Sequence, residues 1–127
     1  MGARTLVLVR HAKAESDAAA DAERPLAERG RLDAAAAGQW LADQGITPDL
    51  VVISHAVRAR QTWDEIAATV SAAETWVEER IYQNTVDELL AVISTVPDSA
   101  TTVVVVGHNP SMHGLAITLD DGDGDGE

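Results

Sequence analysis

Four consecutive valines, Val103, Val104, Val105 and Val106, follow two threonines, Thr101 and Thr102. Six β-branched residues in a row are stiff at χ1 and poor helix formers. An apolar run without polar alternation belongs to a strand covered on both faces. Two further runs repeat the pattern, residues 5–9 (TLVLV) and 49–53 (DLVVI), and residues 73–77 are a weaker candidate for a sheet edge. Strands covered on both sides need helices on both sides, and the intervening segments supply them. The spacing predicts helices over 30–44, 56–70, 85–96 and 111–119. In the first, Leu32, Ala35, Ala36, Gln39 and Trp40 fall near one face. In the second, Trp63, Ile66, Ala67 and Val70 do so. Gly45 and Pro48 stop the first helix, and Pro97 ends the third. The expected fold is α/β, a three-layer α/β/α domain with a mainly parallel sheet.

The chain has 127 residues, the size of one compact domain, here 1–119. Residues 120–127 form an acidic Gly-Asp tail that cannot bury itself and is expected to be disordered. Residues 16–24 read as a polar, Ala-rich loop. There is no Cys, which excludes disulfides, thiolate metal sites and a Cys nucleophile. No stretch is long enough to span a bilayer. The run at 5–9 is too short for a signal peptide, so the cytoplasm is the expected location. The net charge of −12 argues against nucleic acid and anionic membranes as partners. With nine Lys and Arg in all, any anion pocket must gather its cations locally.

In open parallel sheets, ligands bind beyond the carboxyl ends of the strands. After the first run come Arg10, His11, Ala12 and Lys13; after the second, Ser54, His55, Ala56, Val57 and Arg58; after the last, Gly107, His108, Asn109 and Pro110. Arginine and histidine thus converge on one sheet edge from three segments. Arginine's planar fork matches phosphate oxygens, and neutral histidine can accept a phosphoryl group covalently. Phosphoryl transfer asks mainly for positioning and electrostatic clamping. Helix N-termini near Ala56 and Ser111 would add backbone donors. A metal site is disfavoured, because His108 and His113 lack i, i+4 spacing and two arginines flank the candidate ligands.

Residues 8–14 (LVRHAKA) resemble the Arg-His signature of the histidine phosphatase superfamily, and in detail its SixA-type phosphohistidine phosphatase branch. Arg24-Pro25-Leu26 followed by Gly30, the segment from Ser54 to Thr62, and residues 106–110 (VGHNP) resemble that branch's later motifs, in family order. The resemblance implies the phosphoglycerate mutase-like fold and a phosphatase without metal or organic cofactor. It implies His11 as nucleophile, Arg10 and Arg58 as phosphate clamps, and His108 as stabiliser of the transferring group. Arg24 and Asn109 would join the phosphate-binding set. The implied substrate is a histidine-phosphorylated protein. The same residues would serve a phosphatase of small esters or a silent phosphate-binding domain.

The chain departs from the pattern at His55, where the family usually has Pro, and at Ala27, where it often has Ser or Thr. The inserted segment that carries a carboxylate acid in larger members is missing. Glu78, Glu79 and Asp87 are the nearest substitutes. An ester needs a proton for its alkoxide leaving group, whereas a phosphorylated imidazole leaves readily once its ring is protonated. The bare site therefore suits phosphohistidine. Arg60, His55 and His113 read as surface or structural residues, Lys13 as pocket rim or solvated loop, and the three tryptophans as packing.

Overall fold

The computed structural model describes residues 4–16, 18 and 20–123. Four strands alternate with four helices: β1 (Thr5–Arg10), α1 (Glu28–Asp43), β2 (Leu50–Ser54), α2 (Val57–Ile66), β3 (Thr75–Glu78), α3 (Val86–Ser94), β4 (Thr102–Gly107) and α4 (Ser111–Asp123). The strands form one sheet in the order β1-β4-β2-β3. Every pairing is parallel. The valine run sits in β4, between β1 and β2, and Val103, Val104, Val105 and Val106 are fully buried.

Successive side chains of a strand face opposite sides, and β2 and β4 divide the core accordingly. Leu50, Val52, Val103 and Val105 join Leu89 and Val92 of α3 and Met112 and Leu115 of α4 in one cluster. Val51, Ile53, Val104 and Val106 join Leu41 of α1 and Ala59, Trp63 and Ile66 of α2 in the other. This is the expected three-layer α/β/α arrangement.

The inward face of α1 differs from the expected one. Gly30, Ala34, Gly38 and Leu41 are buried, while Leu32 and Trp40 are 63% and 59% exposed. The cause is a close approach to α2: a Cβ on Gly38 would lie 2.8 Å from the Cα of Ile66. Small residues four apart let the two backbones meet, and the large ones turn outward. Trp63 is in the core as expected, and Trp76 is half-buried.

Helix α2 ends at Ile66 rather than 70. The chain tightens there into i→i+3 bonds from Ala68 to Glu65 and Thr69 to Ile66, and the Thr69 hydroxyl also donates to the Ile66 carbonyl. The loop expected over 16–24 contains a short 3-10 turn, Asp21–Glu23, and a second one, Glu79–Gln83, follows β3. Helix α4 runs to Asp123, into the segment expected to be a disordered tail; residues 124–127 lie outside the described residues. Among the described residues, no helix is long and apolar enough to cross a membrane.

Candidate active site

The register carries the converging residues together. Arg10 pairs with Gly107 and Ile53 with Val106, so β1, β4 and β2 end side by side. The His11 amide donates to the Gly107 carbonyl at 2.9 Å. The rings of His11 and His108 then lie 5.1 Å apart between centroids. The turn after β3 enters the same space: the Tyr82 ring stands edge-on to His108 at 5.7 Å and to His55 at 5.1 Å. The segment after His11 is held close by Gly30, where a Cβ would fall 2.0 Å from the Lys13 carbonyl oxygen.

A hydrogen bond assigns the tautomer of His11, and another orients the His108 ring. His11 Nδ1 lies 2.7 Å from the Ala12 carbonyl oxygen. A carbonyl only accepts, so Nδ1 carries the proton and Nε2 keeps its lone pair. His108 Nε2 lies 2.8 Å from Ser54 Oγ. That oxygen also accepts the Ala56 amide. His108 Nδ1 is buried without a partner. Burial, together with the nearby arginine charges, holds the His11 imidazole below its ordinary value of 6.5, although its bond to Ala12 opposes the shift. Burial, aided by His11 and Arg58, pushes His108 down to about 4. Both rings are neutral near pH 7.

Arg58, in the first turn of α2, is only 6% exposed. One terminal nitrogen donates to the Asp21 main-chain carbonyl at 2.8 Å and the other to Asp21 Oδ2 at 3.0 Å. Its Nε is buried without a partner. Its guanidinium lies 5.9 Å from the Tyr82 ring centroid, and its charge is felt by both histidines. Arg24 donates through Nε to Asp21 Oδ1 at 2.9 Å and through a terminal nitrogen to the Glu15 carbonyl at 3.1 Å. The Tyr82 hydroxyl also donates to Asp21 Oδ2. This bond, ahead of the arginine contacts, holds the Asp21 carboxyl down to about 2.

Arg10 is exposed at the end of β1 and makes no side-chain hydrogen bond among the described residues. With His11, Ala12, Lys13 and Asn109 it lines an open pocket. Asn109 gives its side-chain oxygen to the His113 amide at 3.1 Å, at the start of α4, and its carbonyl to Asn84 at 2.8 Å. Glu78 is bound by the Arg80 side chain, which holds its carboxyl below the ordinary carboxylate value. Glu79 and Asp87 are exposed, on the turn after β3 and in the first turn of α3. Among the described residues, no three metal-ligating side chains cluster. The arrangement brings together His11, His108 and Arg58, with Arg10 on the rim and Arg24 joined through Asp21. Asp21 and Tyr82 have no counterpart among the residues singled out by sequence. Tyr82 was within reach, because the segment after β3 leaves the same sheet edge; Asp21 carried no such signal.

Two neutral histidines tilted at 59° to one another, a buried guanidinium with an unpartnered Nε and an exposed second arginine thus share one edge of the sheet. The chain belongs to the histidine phosphatase superfamily, branch 1, whose family model matches residues 6–89. It is 43% identical over 112 residues to an uncharacterised protein of Mycobacterium tuberculosis, covering 87% of this chain and 69% of that one. A structure from Nakamurella multipartitia, named provisionally as phosphohistidine phosphatase SixA, is 43% identical with a TM-score of 0.79, covering 91% of this chain and 64% of its own. A protein histidine phosphatase SixA complexed with tungstate is 26% identical with a TM-score of 0.82, covering 90% and 75%. The chain spans between 64% and 75% of the length of these relatives.

Proposed function

We propose that the chain is a phosphatase that carries the phosphoryl group on His11 and acts on phosphohistidine in proteins. The observation that carries this is the His11 tautomer, with its lone pair on Nε2, set beside the His108 ring and within the field of the buried Arg58. The neutral His11 Nε2 attacks phosphorus in line. The new N–P bond forms as the bond to the substrate imidazole breaks. Negative charge spread over the transferring oxygens is met by Arg58, Arg10 and His108. A protonated imidazole departs as the neutral base, so no carboxylic acid is required of the protein. Glu78, bound to Arg80 and ionised, fits this economy. Water then attacks phosphorus, the His11–phosphorus bond breaks, and inorganic phosphate leaves. The SixA names of the two solved relatives support the substrate class.

The test is a dephosphorylation time course on a histidine-phosphorylated protein, with wild type and His11→Ala in parallel and an aryl phosphate alongside. The proposal expects rapid loss of phosphohistidine with wild type, slow ester hydrolysis, and a fall on the order of 10³-fold or more in His11→Ala. Fast ester hydrolysis with little loss of phosphohistidine overturns the substrate; full activity in His11→Ala overturns the nucleophile.

A further inference from the structure

Arg58 faces a physical difficulty. A guanidinium buried between neutral histidines and a tyrosine ring needs a counter-charge, and removing the partner of a buried charge is strongly destabilising. Among the described residues, its carboxylate partner is Asp21. That partner is contributed by a three-residue turn distant in sequence, and its side chain remains 54% exposed. The attachment is two-point, with the main-chain carbonyl taking one terminal nitrogen and the carboxylate the other. Such a fork fixes the plane of the guanidinium as well as its position. The same carboxylate takes the Tyr82 hydroxyl and Arg24 Nε. One anion thus ties together the first turn of α2, the turn after β3 and the segment before α1. The donor that this leaves over on Arg58 is Nε, buried and without a partner.

We infer that Asp21 is the positioning residue of the phosphate clamp, holding the Arg58 guanidinium and the Tyr82 ring in one arrangement against the histidine pair. The inference rests on the proposed role of Arg58 as a clamp. The opposite role is that of an internal anion which substrate must displace. The geometry speaks against it: the carbonyl contact belongs to the backbone, and Nε stays open while Asp21 is in place.

The two roles predict opposite signs. Tungstate binding is measured by calorimetry for wild type, Asp21→Asn and Asp21→Glu, together with kcat and KM on phosphohistidine. A positioning residue gives about 10-fold weaker tungstate binding in Asp21→Asn, a loss mainly in kcat, and partial recovery in Asp21→Glu. Tighter tungstate binding in Asp21→Asn overturns the inference, as does unchanged binding. A second readout is independent of phosphatase activity. Tyr82 is the single tyrosine of the chain, and its bond to Asp21 holds the phenol above the ordinary value of 10. Ultraviolet titration of tyrosinate should move to lower pH in Asp21→Asn; an unmoved titration overturns the Asp21 contact itself. If the tyrosine titration moves as expected but wild type neither binds tungstate nor turns over phosphohistidine, the clamp role of Arg58 fails, and the positioning role falls with it.

Discussion

The two ends of the parallel sheet treat polar atoms in opposite ways. At the amino ends of the strands, partners are matched. Asp49 Oδ2 accepts the Thr101 amide, the Thr101 hydroxyl and the Thr102 amide at 2.9–3.0 Å, and Arg4 donates to the carbonyls of Ala100 and Pro97. At the carboxyl ends, His55 Nδ1, Arg58 Nε and His108 Nδ1 are buried without partners. An unsatisfied buried donor or acceptor costs about 1–3 kcal/mol. All three such side-chain atoms among the described residues lie at this edge, which favours the ligand site proposed there. One end of the sheet matches its polar atoms within the fold, and the other leaves polar atoms unmatched.

Substitutions at the two ends should therefore separate function from stability. The largest effect on oxyanion binding belongs to Arg58→Ala, which removes the buried donor. Tungstate affinity should fall by about 10- to 100-fold, measured by calorimetry, and Arg58→Lys should recover little of it because a point charge lacks the fork. Equal affinity in wild type and Arg58→Ala would erase the contrast at its strongest point.

A pH effect comes next. His108 titrates at about 4 in the fold against 6.5 ordinarily. Below pH 6.5 the unfolded chain takes up a proton that the folded chain refuses, so stability falls as pH drops from 6.5 towards 4, by up to about 3 kcal/mol. His11, also lowered, adds in the same direction. Urea unfolding at several pH values should trace this decline, and His108→Asn should flatten it. The acid limb of kcat/KM should likewise lie below 6.5, since His11 keeps its lone pair there.

Ser54→Ala sharpens the comparison further. Loss of the hydroxyl, at about 1 kcal/mol, frees the His108 ring, and kcat should drop by about 5-fold with KM little changed. The smallest functional effect belongs to the other end: Asp49→Ala should lower the thermal unfolding midpoint and leave kcat unaltered. A matching loss of activity there would mean that the two ends are not separable.

Much of this contrast was legible in the residues. The valine run and its two partners fixed three strands to within a residue or two, because β-branched runs have few alternatives. Those strands place His11, Arg58 and His108 on one edge. What stayed hidden depended on long-range geometry. The buried side of α1 is set by how closely α2 approaches at Gly38, which helical spacing alone cannot register. Asp21 meets Arg58, 37 positions away, and nothing in an Ala-rich loop distinguishes one acid from another. Tyr82 follows β3, a strand of only four residues whose carboxyl end the sequence marks weakly.

The Thr62 hydroxyl gives the site a mechanical property. It accepts the Ala12 amide at 3.0 Å and donates to the Arg58 carbonyl at 2.8 Å. The main chain after His11 and the main chain of Arg58 are therefore pinned to one oxygen atom on α2. Under the proposed roles, attacking nitrogen and guanidinium share one anchor, and the choice among phosphorylated molecules falls to the rim that surrounds them.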